Sequence, residues 1–237
     1  SDPRAELLAA ELGRRGLRIV SGDPTPCPHV ELPATWEEYL SSRGRSTRRT
    51  LRSHLNRIQA LPDYRLNFTL THAPEGAVDN LLHFHSLRWK KSLAKSNQPL
   101  RDFLVRCAAS GRFVVASIYQ GDKVIAVQGV FVEQQRRTIV AYMIAHNPEY
   151  AQYSPGVMLG CESIRRAIDQ GYRHFNLSRG NQAYKMSLAT DVRYLTNTTI
   201  WRKSIRAATI DGGQRSVAAA KNLARRVLRF SLAGRPS

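Results

Sequence analysis

The clearest candidate for chemistry is a turn that leads directly into an amphipathic helix. The stretch from Tyr153 to Tyr172 reads YSPGVMLGCESIRRAIDQGY, and Ser154-Pro155-Gly156 forms its turn. A helix start carries unpaired N–H groups and about half a positive charge, which together favour an anion such as a phosphate. Gly156 has no Cβ, so a ligand can approach the backbone closely. The alternative is a structural corner without a ligand, because Pro155 supplies no N–H.

His85 and Trp89 share the inward face of a second predicted helix. They continue the apolar series Val78, Leu81 and Leu82 at helical spacing. Both side chains are therefore predicted to face the interior, where they could contact a substrate. The alternative for His85 is a core histidine whose ring nitrogens are hydrogen-bonded.

Charge is the strongest compositional signal. The chain carries 36 Lys and Arg against 18 Asp and Glu, a formal net charge of +18. Much of the excess lies in residues 43–57 and 202–235. Such a surface attracts polyanions and anionic cofactors. Three interpretations stay open: a solvated Arg-rich surface, a contact with nucleic acid or acidic membrane, and steering of anionic small molecules.

Composition and missing motifs argue against several classes of protein. No run approaches about 18 consecutive apolar residues and no signal peptide opens the chain, so a cytoplasmic protein is expected. The cysteines Cys27, Cys107 and Cys161 are too scattered for a disulfide framework or a CxxC metal site. No GxSxG, P-loop or HExxH motif is present. Hydrolase, NTPase and metalloenzyme chemistry therefore lack their residues, and no metal is expected.

The N-terminal part of the chain is predicted to join helices through a proline-rich connector. Four prolines in residues 21–35 exclude a regular helix there and predict the connector. The next helix starts with Thr35 and Glu38 at capping-box spacing. A helix from Ser46 then carries many Arg residues around a narrow apolar stripe of Leu51, Leu55 and Ile58.

The centre of the chain predicts a mixed sheet. Residues 112–147 contain three β-rich runs separated by polar turns, which predicts an antiparallel meander. The helix after Ser154 leads to a short strand at 174–177, and this strand–helix–strand order implies a right-handed crossover between parallel strands. The prediction is an α/β fold with a mixed sheet and flanking helices. Further predicted elements are strands at 64–71 and 192–201, helices near 73–89 and 100–109, a short helix or turn at 181–189, and a basic tail helix from 216.

The order of these elements resembles the core of the GNAT acyltransferase superfamily. Three segments resemble its branch of CelD-type and FemABX-like transferases: ELPATWEEYLSSRGRSTRRTLRSHLNRI, LLHFHSLRWKKS and IAHNPEYAQYSPGVMLGCESIRRAIDQGYRHFNLSRGNQAYKMSLA. Members of that branch usually hold two GNAT-like halves in tandem. The resemblance implies the tail of a first half with a basic connecting helix at 1–61, a GNAT domain at 62–203 and a basic helical tail at 204–237. Since Ser1 replaces an initiator Met, we expect a trimmed or processed product.

The resemblance implies a binding site for acetyl-CoA or another acyl-CoA. In the GNAT fold two strands separate, the pantetheine arm lies between them, and the pyrophosphate meets the amides that open the following helix. The implied binding residues lie at the end of the third meander strand and at this helix start: Ile144, Ala145, Ser154, Gly156, Val157, Met158 and Gly160.

The resemblance also implies side chains for proton transfer. Tyr184 lies in the segment corresponding to the GNAT helix that often carries a tyrosine acid, so it is expected to protonate the leaving thiolate. The alternative is a packed tyrosine with a hydrogen-bonded hydroxyl. His146, at the strand end where the cleft should open, is expected to act as the base, with Glu149 as a weaker candidate. An idle loop histidine is the alternative for His146.

Residues for the acceptor are implied by the same resemblance. Tyr184-Lys185 matches a Tyr-Lys pair of the family, and Lys185 with Arg179 is expected to bind an anionic acceptor; surface ion pairs are the alternative. Relatives carry Asp where this chain has Asn176, and an amide cannot act as a base. Either that carboxylate is structural, or the acceptor chemistry differs here, or this copy has lost activity.

Three functions are compatible with these residues. The first is an N-acyltransferase that uses acyl-CoA and an amine acceptor, such as a small molecule or a polysaccharide. The second is a FemABX-like transferase that takes its group from aminoacyl-tRNA, bound through the basic helix between Arg43 and Arg57. The third is a catalytically silent binding module, for which Asn176 is the indication.

Overall fold

The protein, seen in a computed structural model, is described over residues 3–68, 76–89 and 98–202. Its strands are β1 (Leu17–Ser21), β2 (Thr25–Glu31), β3 (Tyr64–Asn67), β4 (Phe113–Gln120), β5 (Lys123–Glu133), β6 (Thr138–His146), β7 (His174–Asn176), β8 (Asp191–Leu195) and β9 (Thr198–Arg202). Its helices are α1 (Pro3–Arg14), α2 (Trp36–Ser41), α3 (Arg45–Gln59), α4 (Ala77–Trp89), α5 (Gln98–Ala109), α6 (Pro155–Asp169) and α7 (Ala183–Leu188). A 3-10 helix occupies Pro148–Tyr153. The described residues divide into two compact units, one within residues 25–194 and one drawn from residues 3–24 and 195–202.

The smaller unit contains a two-stranded antiparallel ribbon. β1 pairs with β9 along its whole length, and α1 contacts β1. The expectation of one strand over residues 192–201 is wrong, because the chain forms β8 and β9 in two different sheets. The chain breaks between them at Asn197, whose carbonyl accepts a hydrogen bond from Gly22 N at 2.9 Å. The predicted tail at 204–237 lies outside the described residues, and the predicted domain division stays a prediction.

A seven-stranded mixed sheet forms the centre of the larger unit. Its strand order is β3-β4-β5-β6-β7-β2-β8. β4, β5 and β6 form the predicted antiparallel meander, and β7 lies parallel to β6 after the α6 crossover. The predicted α/β fold with a mixed sheet is confirmed. β3 begins at the predicted residue, Tyr64, and residues 69–71 of that prediction lie outside the described part.

The central part of the proline-rich segment predicted to be a connector is instead β2, an inner strand of the sheet. β2 pairs antiparallel with β7, and four of its residues are buried. Proline has no N–H to donate, but its carbonyl can still accept in a strand ladder. Pro26 O accepts from Gly180 N at 2.9 Å, and Pro28 O accepts from Leu177 N at 3.0 Å. A segment that cannot be helical therefore fits between β7 and β8.

The sheet separates two apolar clusters, one on each face. Successive residues of β4 enter different clusters, as strand pleating requires. Val114 and Ala116 pack in the cluster that includes α2, α3 and α6, whereas Phe113 and Val115 pack with α4 and α5. Ten of the fifteen residues of α6 are buried, and six of these belong to the first cluster. This packing holds the first turn of α6 in place against the sheet.

α3 lies on α6 and turns its basic side to solvent. The predicted apolar stripe of α3 is buried, and Arg45, Arg49 and Arg52 are exposed. Thr35 Oγ1 accepts from Glu38 N at 3.2 Å, which confirms the predicted start of α2. Among the described helices, none is both long and apolar enough to cross a bilayer.

Candidate functional site

A cleft opens where β6 and β7 separate. The two strands pair over three residues each, and Val140 opposite Asn176 is the last pair. β6 continues to His146, whereas the other strand ends and its chain turns at Ser178, which has a left-handed φ of 60°. Ser178 Oγ donates to Ala141 O just beyond the last pair. From this point the edge of β6 that faced β7 borders the cleft.

The cleft is narrow, with a volume of about 50 Å³. Its walls come from β6, the turn after β7, α7 and one turn of α6. Gly160 of α6 faces Leu188 of α7, since a Cβ on Gly160 would lie 3.6 Å from Leu188 Cδ1. Residues that line it include Gln128, Met143, Ile144, Tyr184, Lys185 and Leu188. A chain of small cross-section fits such a space better than a bulky group does.

The start of α6 has few amides left for a ligand. Ser154 has a φ of 51° and both ends the 3-10 helix and precedes α6, but its side chain does not cap the helix. Val157 N and Met158 N donate to Ser154 O at 3.0 and 3.2 Å. Pro155 has no N–H, and within the described part of the chain Gly156 N makes no backbone hydrogen bond. Gly156 is therefore the first-turn amide best placed to bind an anion.

The start of α6 lies against the end of β6. A Cβ built on Gly156 would lie 3.8 Å from His146 Nδ1 and 3.8 Å from Ile144 Cδ1. Ile144 also lines the cleft. The structure therefore brings Gly156, Ile144 and His146 together, and Ile144 joins this group to the cleft.

The two expected proton-transfer residues lie in different places. Tyr184 is partly buried and lines the cleft from α7. His146 lies beside Gly156, and within the described residues it does not line the cleft. Glu149 is exposed in the 3-10 helix, where Glu149 N donates to Asn147 Oδ1 at 3.1 Å.

Lys185 is a half-buried cation beside Tyr184 in the cleft wall. Its Nζ donates to Arg179 O at 2.8 Å. Burial lowers the pKa of Lys185 below its ordinary value. The sequence identifies Lys185 as a substrate residue but does not reveal its burial, because the neighbours that desolvate it come from other parts of the chain.

Asn176 shapes the turn after β7. Its Oδ1 accepts from Ser178 N at 2.7 Å and from Cys27 Sγ at 3.2 Å. Burial raises the pKa of the Cys27 thiol, so the thiol stays protonated and can donate. A carboxylate oxygen could accept the same two hydrogen bonds, which favours a structural role for this position. Arg179 is exposed, and its backbone carbonyl accepts the hydrogen bond from Lys185 Nζ.

Other sequence-predicted residues lie away from the cleft. Ala145 is buried in the cluster on the α4 face, so only its backbone faces the β6 edge. His85 belongs to α4 on that same face, and the side chain of Trp89 lies outside the described residues. Gln128 is a cleft residue that sequence reasoning missed; buried in β5, it accepts from Ser163 Oγ at 2.7 Å. Within the described chain, no group of three His, Cys, Asp or Glu side chains could hold a metal ion.

Comparison with known proteins decides the family. Residues 45–186, more than half of the chain, match the family described as Acetyltransferase (GNAT) domain. The chain belongs to this GNAT acetyltransferase family. The match runs from the start of α3 into α7, so this GNAT domain contains the cleft, the α6 start and the Tyr184-Lys185 pair. The family implies an acyl-CoA co-substrate. No curated protein sequence matches the chain.

Solved structures share the fold of this GNAT domain at low sequence identity. A C-terminal DUF2156 domain from Agrobacterium fabrum is 15% identical with a TM-score of 0.56, covering 89% of this chain and 69% of that chain. L-PGS from Bacillus licheniformis is 13% identical with a TM-score of 0.54, covering 86% of this chain and 67% of its own. A conserved protein of unknown function from Bacteroides thetaiotaomicron is 13% identical with a TM-score of 0.57, and the match covers 85% of this chain and 67% of that chain. These likenesses concern the fold alone.

Proposed function

We propose that this GNAT domain is an N-acyltransferase that moves an acetyl or longer acyl group from acyl-CoA to an amine acceptor. The observation that carries the proposal is the start of α6, where Gly156 lies beside Ile144 next to the cleft. A helix-start amide without a backbone partner among the described residues suits the pyrophosphate, and a narrow cleft along β6 suits the pantetheine arm. Family membership supports acyl-CoA as the donor.

The proposed reaction is a direct attack on the thioester. The acceptor nitrogen forms a bond to the carbonyl carbon, and the carbon–sulfur bond breaks with its electron pair on sulfur. The nitrogen loses a proton and the thiolate gains one. A base near the acceptor and an acid near the sulfur are therefore needed in the cleft.

Tyr184 is the proposed acid and Lys185 the proposed base. Both line the cleft from α7, and a phenol hydroxyl can protonate a thiolate. Because burial lowers the pKa of Lys185, its amine becomes neutral more readily than that of an exposed lysine. His146 lies beside Gly156, so we assign it to the pyrophosphate end of the donor rather than to the acceptor. Asn176 is assigned to the turn and not to catalysis.

Replacement of Gly156 tests the proposal. Gly156→Val places methyl groups where the pyrophosphate must approach, so we expect calorimetric binding of CoA to be lost while unfolding stays cooperative. Gly13→Val is the matched control, since Gly13 is also helical and a Cβ there meets nothing within 4 Å. If the unmodified protein binds neither CoA nor any acyl-CoA, the proposal is wrong.

A second candidate function is transfer from aminoacyl-tRNA. The exposed arginines of α3 favour it, because clustered guanidinium groups bind phosphate backbones. This candidate predicts tight, salt-sensitive binding of tRNA and no response to CoA. A catalytically silent module, in contrast, predicts no product with either donor.

A further inference from the structure

A second cavity lies across α6 from the cleft. Its volume is about 180 Å³, and it is bordered by the end of α3, the edge strand β3 and α6. Gly160 faces the cleft, whereas Glu162, two residues later and about 200° around the helix, lines the second cavity. α6 therefore separates the two spaces, and the proposed acyl transfer does not use the second one.

Glu162 is an acidic side chain buried in the wall of this cavity. It is 3% exposed and accepts one hydrogen bond, from Gln59 Nε2 at 2.7 Å. Arg165 and Arg166 follow at the i+3 and i+4 spacings that usually allow ion pairs. Both are exposed, and within the described residues neither forms an ion pair with Glu162. A carboxylate removed from water is stabilised by more donors than one neutral amide.

Tyr64 brings a buried hydroxyl to the same cavity. Its Oη has no hydrogen-bond partner among the described residues. Burial, with the neighbouring charge of Glu162 as the next cause, raises the pKa of Tyr64 to about 12. The hydroxyl therefore stays protonated at neutral pH and can both donate and accept. Buried hydroxyls without partners are uncommon, so the hydrogen-bonding capacity of this one is available to a bound group.

The polar groups around the cavity differ in sign between its interior and its rim. The buried acceptors are the carboxylate of Glu162 and the hydroxyl of Tyr64, whereas Gln59 is exposed and its amide nitrogen already donates to Glu162. Arg165 and Arg166 bring positive charge to the rim, next to Asp169, whose carboxylate disfavours a second negative charge on a ligand. This arrangement suits one ammonium group inside and one carboxylate outside.

We infer that this cavity binds a small zwitterion of the amino-acid class. Its ammonium group donates to Glu162 and Tyr64, and its carboxylate meets Arg165 and Arg166. Charge-assisted hydrogen bonds of this kind are stronger and shorter than neutral ones, and they fix the orientation of the ligand. A ligand here contacts α3, β3 and α6 together, so it would stabilise their packing.

The inference is tested by dividing the zwitterion into its charged halves. Calorimetric titrations of the full chain use alanine, ethylammonium and propionate at neutral pH. We expect alanine to bind more tightly than ethylammonium, and propionate to give no binding heat. If either half binds as tightly as alanine, or if alanine does not bind, the inference is wrong. These titrations need no acyl donor, so their failure is separate from that of the acyltransferase proposal.

Two substitutions locate the site. Glu162→Gln keeps the side-chain shape and removes the charge, so we expect alanine affinity to fall about tenfold or more. Tyr64→Phe removes only the hydroxyl and should weaken binding in the same direction. The control is Glu133→Gln, the same chemical change on an exposed residue of β5, which should leave alanine binding unchanged. Circular dichroism melting of each variant checks the fold, and unchanged alanine affinity in folded Glu162→Gln overturns the assignment.

Discussion

Two neighbouring side chains of α7 have complementary acid–base properties. Tyr184 and Lys185 both line the cleft, and Lys185 Nζ is held by Arg179 O at 2.8 Å. Burial disfavours the charged form of the amine and lowers its pKa. A base must be neutral before it accepts a proton, so burial makes this lysine a better base near neutral pH than an exposed one.

Lys185 should therefore determine the pH dependence of the reaction. We expect kcat/KM to rise with pH through the lowered pKa of Lys185 and to level off above it, because the neutral amine accumulates there. Lys185→Arg keeps a positive charge that does not titrate, so kcat/KM should fall about 10²–10⁴-fold. The rise with pH should disappear in this variant. Initial rates with acetyl-CoA and an amine acceptor across a pH series measure both effects.

The control for this experiment is Lys123→Arg. Lys123 is exposed at the start of β5, so its replacement should change neither the rate nor the pH profile. If Lys185→Arg raises only KM and keeps the wild-type profile, Lys185 binds the acceptor and does not accept the proton.

The packing of α4 on the sheet depends on one glycine of β5. A Cβ on Gly129 would lie 2.6 Å from Leu81 Cδ2 of α4 and would also overlap the ring of Phe113. Gly129→Ala should force these groups apart and lower the free energy of unfolding by about 1–3 kcal/mol. Urea denaturation measures the change. Gly13→Ala, where a Cβ meets nothing within 4 Å, should not lower stability, and equal stability of both variants would contradict this close packing.

Element prediction succeeded where the pattern is local. The meander strands and the α6 crossover follow from alternation and helical periodicity, which each segment carries within itself. β2 was missed because its prolines argue against regular structure, whereas its place in the sheet depends on acceptors for Leu177 N and Gly180 N far along the chain. The break at Asn197 likewise depends on a distant partner, Gly22.

In the candidate site, too, local features follow from the sequence, whereas contacts between distant parts of the chain do not. Gly156 could be found from the sequence because a turn followed by an apolar series marks a helix start. Its position beside His146 and Ile144 depends on how α6 packs, which no local pattern contains. The burial of Glu162 depends on α3, more than a hundred residues earlier, so a carboxylate in the sequence of α6 gives no indication of it.

The net charge of the whole chain separates the two candidate donors. With +18, the protein attracts any anion at long range, so attraction alone does not distinguish CoA from tRNA. The dependence of their binding constants on salt concentration does distinguish them. A polynucleotide releases condensed counterions when arginines neutralise its phosphates, and its log K falls by about 0.7–0.9 per phosphate contacted for each tenfold increase in salt. CoA has few phosphates, and here they would meet a backbone amide.

We therefore predict a shallow salt dependence for CoA and no effect of the α3 arginines on it. The triple variant Arg45→Gln, Arg49→Gln, Arg52→Gln should bind CoA as the unmodified protein does, because α3 turns these exposed side chains to solvent and none lines the cleft. Calorimetric titrations at low and high salt measure both properties. Any affinity for tRNA should fall in this variant, and its salt slope should decrease.

The control is a second triple variant with the same loss of charge, Arg14→Gln, Arg15→Gln, Arg106→Gln, on exposed residues of α1, the segment after it and α5. If both triple variants weaken tRNA binding equally, the attraction comes from net charge and not from a specific surface on α3. If the α3 variant alone loses steeply salt-dependent tRNA binding, while CoA binds neither protein, transfer from aminoacyl-tRNA replaces acyl-CoA as the function. The comparison of these two charge variants therefore tests whether the donor is acyl-CoA or aminoacyl-tRNA.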